Sequence, residues 1–169
     1  MKRFVIGCAM LALAAVGSVA VAVAQQTTPQ TAQAPSNSVI ASAQYSQDPD
    51  LRCDLLEVKR VSGGALLVRW RIINTAGGGS SGLTATTAKP IRYDFGWNEL
   101  FFIDPTENKR YQFLTDSGGN RIVDVWYGDL AAGQQRVNWA KFPAPPPNST
   151  KISLSLPKFP PFEDVPVSQ

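Results

Sequence analysis

The stretch from Ala65 to Asn74 reads Ala-Leu-Leu-Val-Arg-Trp-Arg-Ile-Ile-Asn, and its alternation constrains the fold more than any other feature of the chain. Leu66, Val68, Trp70 and Ile72 fall on one face while Arg69 and Arg71 fall on the other. Period two with β-branched and aromatic residues is the pattern of a half-buried strand. Arg52 to Arg60 precedes it as a second strand-like run, and Ser62-Gly63-Gly64 between them supplies a turn, so the two runs predict a β-hairpin.

Short runs of the same kind follow, separated by Gly, Pro, Asn and Asp. Ile91 to Trp97 and Glu99 to Asp104 predict two strands, or one strand bent at Gly96-Trp97. Asp104-Pro105-Thr106-Glu107-Asn108 predicts a turn with its φ preset by proline, and Asp116-Ser117-Gly118-Gly119-Asn120 predicts another. Tyr111 with Phe113, Arg121 to Tyr127, Gln134 to Phe142 and Lys151 to Leu156 supply the remaining strands, the last with Ile152, Leu154 and Leu156 inward. Gly128 to Gln134 is the one place with room for a helical turn. About seven or eight strands at spacings of roughly 8–12 residues predict an all-β antiparallel sandwich over residues 50–169. A chain of that size can bury a sufficient core without disulfides.

The N-terminus has a different logic. Lys2 and Arg3 are followed by an uncharged run from Phe4 to Ala24, and Ala22-Val23-Ala24 places small residues ahead of the polar Gln25. This is the pattern of a secretory signal peptide over residues 1–24. Its apolar run is also long enough to serve as an uncleaved anchor. Val5-Ile6-Gly7-Cys8 loosely resembles a lipidation site, but too few residues separate Arg3 from Cys8 for an apolar h-region. Residues 25–49, rich in Gln, Thr, Ala, Ser and Pro and almost free of charge, predict a disordered polar linker.

Processing at Ala24 would narrow the chemistry. The chain contains no histidine, and removal of the leader takes both methionines and one of the two cysteines. Without imidazole there is no Ser-His-Asp or Cys-His pair and no usual ligand set for zinc or copper. Cys53, alone in an oxidising compartment, is expected as a small buried apolar group. Taking Lys2 and Arg3 from the 16 basic residues leaves 14 against 13 acidic ones. So even a balance offers no footprint for nucleic acid, and after cleavage no membrane insertion is expected.

The Asp116 to Asn120 loop has oxygen side chains, yet it lacks the six to eight ligands of a calcium site. Asp104, Asp116, Asp124, Asp129, Glu163 and Asp164 could offer a carboxylate pair for hydrolysis, with Asp124 and Glu163 the pair to test. Most sit where turns place acidic residues anyway. No catalytic residue, metal site or cofactor is therefore expected. Thr75 to Lys89, dominated by Gly, Ser, Thr and Ala, predicts a long surface loop and a candidate contact segment. The candidate binding surface is aromatic: Trp97, Phe101, Trp126 and Tyr127. Phe101 and Phe102, as strand neighbours, must point to opposite faces. Pro143-Ala144-Pro145-Pro146-Pro147 predicts a rigid extended connection between two strands.

Asp104-Pro105, Tyr111, Asp116, the Trp139 to Pro146 segment (WAKFPAPP) and the Phe159 to Val167 segment (FPPFEDVPV) resemble secreted bacterial immunoglobulin-like domains of uncharacterised function. The resemblance covers about residues 100–167. It implies an immunoglobulin-like sandwich exported to the cell envelope, non-enzymatic and with no catalytic residue to transfer. The function expected is binding or bracing an envelope protein or polysaccharide, in a secreted, periplasmic or envelope-attached location.

Overall fold

The computed structural model describes residues 38–76, 90–94 and 96–169. The leader, the first part of the polar linker and the 77–89 portion of the long loop lie outside the described residues. Along the described chain run β1 (Ala41–Tyr45), β2 (Asp48–Val61), β3 (Ala65–Asn74), β4 (Ile91–Tyr93), a 3-10 turn (Trp97–Glu99), β5 (Phe101–Asp104) and β6 (Lys109–Gln112). Then come β7 (Val123–Asp124), β8 (Gly128–Leu130), β9 (Gln135–Pro143), β10 (Lys151–Ser155) and β11 (Phe162–Pro166). One sheet has the order β1-β2-β3-β9-β7, a second β11-β10-β5-β6, and a two-stranded sheet pairs β4 with β8. All these ladders are antiparallel. The architecture is an all-β antiparallel sandwich, consistent with an immunoglobulin-like arrangement.

The predicted hairpin is β2–β3, in register from Val61↔Ala65 to Leu51↔Asn74. Gly63 and Gly64 turn it at φ of 79° and 69°, a left-handed conformation that costs glycine little. Leu66, Val68, Trp70 and Ile72 are fully buried, as their alternation requires. Across the sandwich they share one core with Phe102, Ile152 and Leu154. Phe102 stacks on Tyr111 at 4.6 Å and takes Phe142 edge-on at 5.4 Å. Each such side chain contributes roughly 1.5–3 kcal/mol by leaving water. No helix among the described residues is long and apolar enough to cross a membrane.

Several elements differ from the sequence expectation. Ala41–Tyr45, placed in the polar linker, is strand β1, and β2 already begins at Asp48. Ala41, Ala43 and Tyr45 pack on the core while Ser42 and Gln44 face water. The alternation exists, but two of its three inward residues are alanines too small to announce it. Gly128–Leu130, read as room for a helical turn, is strand β8, with Leu130 buried. Strand β4 covers Ile91–Tyr93 of the Ile91 to Trp97 run, and strand β7 covers Val123–Asp124 of the Arg121 to Tyr127 run.

Strand β11 escaped prediction because its buried residues, Phe162 and Val165, are three apart rather than two. The register slips between Ile152 and Leu154, and Asp164 sits at φ 52°. This bulge absorbs the extra residue. With β1, β8 and β11 added, the described chain has eleven named strands, three of only two or three residues, instead of seven or eight.

Candidate functional site

The four aromatic residues singled out from sequence fall into two sets, each built by local backbone chemistry. Trp97 opens the 3-10 turn after Gly96, where an added Cβ would lie 2.9 Å from the Glu99 side chain. The Trp97 ring meets Phe113 edge-on at 5.7 Å. Arg121 lays its guanidinium 4.3 Å from the Trp97 centroid. That arginine is delivered by the loop before it: Thr115 bridges Arg121, and Asp116 Oδ1 accepts from the amides of Gly118 and Asn120 at 2.8 Å each. The Asn120 side chain and these amides hold the Asp116 carboxyl below the usual carboxylate range. Its oxygens are thus occupied by the turn itself.

Phe101 lies close to this first set. Phe102 is fully buried, so Phe101 points outward, as neighbouring strand positions must. Arg110 on the adjacent strand covers it, with the guanidinium 3.7 Å from the ring centroid. The same guanidinium donates to the Asn98 carbonyl at 2.7 Å, next to Trp97. Trp97 and Phe101 are therefore linked through Arg110 and the 3-10 turn. Each aromatic face carries a cation, a contact worth about 0.5–1 kcal/mol when exposed.

Trp126 and Tyr127 occupy the link between β7 and β8. The Trp126 amide donates to Oδ1 of buried Asn138 at 2.7 Å, which ends the β7 ladder after Asp124. Further on, buried Asn74 donates its side-chain amide to the Leu130 carbonyl at 2.9 Å and fixes β8. Between these two pins the Trp126 ring lies over Gly128, where an added Cβ would touch it at 3.5 Å. Arg136 approaches the ring at 5.7 Å. Trp126 packs partly on the core, whereas Tyr127 stands 63% exposed.

The other candidates have structural partners. Asp104 is completely buried and accepts from Ser149 Oγ at 2.6 Å and from the Thr106 amide at 2.9 Å. Asp129 pairs with Arg92, Asp164 with Lys151, and Glu163 accepts from Ser153 Oγ. Asp124 is on the exposed side of β7. Cys53 is free and buried in the core, and burial followed by the Asp54 charge pushes its thiol well above the ordinary range. Among the described residues no group of three or more His, Cys, Asp and Glu is placed to hold a metal ion.

No known protein family, curated protein or solved structure matches this chain. Its functional reading rests on its own residues.

Two arrangements were not visible in the sequence. Arg60 donates to the carbonyls of Pro145, Pro146 and Ser149, the last two at 2.6 and 3.0 Å. Proline lacks an N–H, so a proline-rich connection has few internal donors for its own carbonyls. Arg60 lies 85 residues before that run, so the sequence carried no local signal of the contact. The second is Asp54, 1% exposed, which pairs with Arg71 at 2.6 Å and Arg52 at 3.1 Å and accepts from Ser42 Oγ at 2.7 Å. Burial pushes its carboxyl up, but the hydrogen bonds from Arg71 and Ser42 and the two positive charges outweigh it and hold it below the ordinary value.

Proposed function

We propose that this chain is an exported, non-catalytic module of the cell envelope that binds or braces another envelope component. The contact surface in this reading is the aromatic rim: Trp97 with Phe101, and Trp126 with Tyr127. The observation that carries it is Tyr127, a large aromatic side chain 63% exposed beside a tryptophan seated over a bare glycine. An amphipathic ring held out from a pinned backbone gives contact area at low entropic cost, which suits a binding surface. The leader, the histidine-free composition and the structural engagement of most of the carboxylates support the same reading.

A polysaccharide ligand is the second reading, favoured by the exposed ring of Tyr127 beside the half-buried Trp126. Tryptophan fluorescence titrated with peptidoglycan fragments and cell-wall polysaccharides tests it. A saturable change is expected, abolished by Tyr127→Ala and Trp126→Ala together while the unfolding midpoint of Tyr127→Ala stays in place. An unchanged spectrum across the panel removes the polysaccharide reading. If crosslinking in the intact envelope also captures no component, the binding module itself is excluded.

A further inference from the structure

Two sets of cations stand apart in the described chain. Arg52, Arg69, Arg71, Arg92 and Lys151 are paired with carboxylates. Lys109, Arg110, Arg121, Arg136 and Lys158 lie against aromatic rings instead, and among the described residues none of them has a carboxylate within ion-pair distance. The neighbouring acids are already engaged. Asp116 closes its own turn, Glu107 accepts from the Tyr111 hydroxyl at 2.8 Å, and Glu99 is turned back toward Gly96 and the Lys158 amide. The rim therefore carries positive charge that the fold does not neutralise.

Arg110 and Arg121 are the two that one ligand can meet together. Both are exposed, and they bear on Asn98 and Trp97, chain neighbours in the 3-10 turn whose Cα atoms are about 3.8 Å apart. Arg110 donates to the Asn98 carbonyl, whereas the Arg121 guanidinium has no acceptor among the described residues. A guanidinium held over a ring keeps its N–H fork at its own edge, where a planar carboxylate can take two parallel hydrogen bonds.

Beside Arg110 the outer face of β5 and β10 mixes apolar and hydroxyl groups. Ser155 stands in register with Phe101, and Ser153 with Ile103, which is 38% exposed. Phe102, Ile152 and Leu154 fill the core, so these four side chains share the opposite face. A sugar ring offers the matching mixture of C–H faces and hydroxyls. β5 lies between β10 and β6, so its backbone groups are spent within the sheet and leave no edge for a peptide strand to pair with.

We infer that Arg110 and Arg121 are carboxylate-binding residues and that the component met by this part of the rim is an acidic glycan. Its sugar carboxylates take the two guanidinium forks while a sugar ring lies along Phe101, Ile103 and the two serines. The inference rests on the reading of the rim as a contact surface and names the ligand class.

The probe is an oligomer of galacturonic acid, titrated into the full-length chain in a calorimeter. Saturable binding is expected, weaker as salt is raised and at least about tenfold weaker when the carboxyls of the oligomer are methyl-esterified. Arg121→Gln is expected to weaken binding about tenfold. Lys59→Gln removes the same charge from an exposed position on β2 and is expected to change it less than about twofold. Arg121→Lys keeps the charge without the fork and should recover only part of the loss. Arg110→Gln combined with Arg121→Gln, shown to be folded by circular dichroism, should leave no saturable binding. A wild-type chain that binds no oligomer, an esterified oligomer bound equally well, a Lys59→Gln loss as large as that of Arg121→Gln, or a folded double variant that binds undiminished overturns the inference. Poly-glutamate bound as tightly as the oligomer also overturns it, in favour of an acidic protein. If crosslinking in the intact envelope captures a component through the rim while no acidic oligomer binds, the ligand class is wrong and the contact surface stands.

Discussion

The proline-rich connection after β9 and the aromatic rim around the 3-10 turn both gather arginine, yet they use it in opposite ways. At the connection, Arg60 is committed to three backbone carbonyls, and nearby Ser149 is locked to buried Asp104. At the rim, Arg110, Arg121 and Arg136 lie against ring faces from the solvent side. Charge-assisted hydrogen bonds to buried groups are strong and leave unsatisfied partners when broken. Cation–π contacts at the surface are weak and exchange readily with water or ligand. The connection holds the sandwich together, whereas the rim carries the faces proposed here for contact with another molecule.

Substitutions sharpen this contrast, beginning with the largest effect. Asp104→Ala strands Ser149 Oγ in a buried site and takes the acceptor from the Thr106 amide, and is expected to lower stability by about 2–3 kcal/mol in denaturant titration. Arg60→Ala removes the donor for three carbonyls and is expected to cost about 2 kcal/mol. Arg60→Lys should recover only part of this, because one ammonium cannot reproduce the planar fork.

Asp54→Asn is expected to cost about 1–2 kcal/mol at neutral pH, measured by thermal or chemical unfolding. The pH dependence has a fixed sign. The Asp54 carboxyl is held below its unfolded value of about 3.9, so its contribution is complete above that pH and disappears as the pH falls through the lower folded value. Wild-type and Asp54→Asn stabilities should therefore converge in acid. A gap that persists undiminished below the folded value would mean that Asp54 contributes through packing alone.

At the rim the effects are smaller. Arg121→Ala is expected to cost about 0.5–1 kcal/mol while leaving Trp97 more accessible to iodide quenching. Tyr127→Ala should leave stability within about 0.5 kcal/mol of wild type. If the rim substitutions proved as costly as Asp104→Ala, the division between a holding region and a contacting region would be wrong.

Much of the fold was legible because side-chain alternation is a local property. β3 appears from Ala65 to Asn74 as the pattern indicates, and Ile152 and Leu154 of β10 point inward. Opposite faces for Phe101 and Phe102 follow from strand geometry alone, and the structure buries Phe102 while Arg110 covers Phe101. The rim was legible in part. Its aromatic residues could be named, but the arginines over them come from strands and turns that pairing brings near.

The sequence by itself determined the all-β class, the faces of the principal strands and the exclusion of imidazole chemistry, since these depend on composition and on a period of two. Tertiary structure alone decided that Ala41–Tyr45 becomes an edge strand, that Arg60 reaches carbonyls 85 to 89 residues away, and that Asp54 is buried between two arginines. The reason is physical. Hydrophobic alternation is written along the chain, whereas the satisfaction of backbone edges, proline carbonyls and buried charges depends on which distant segment lies alongside.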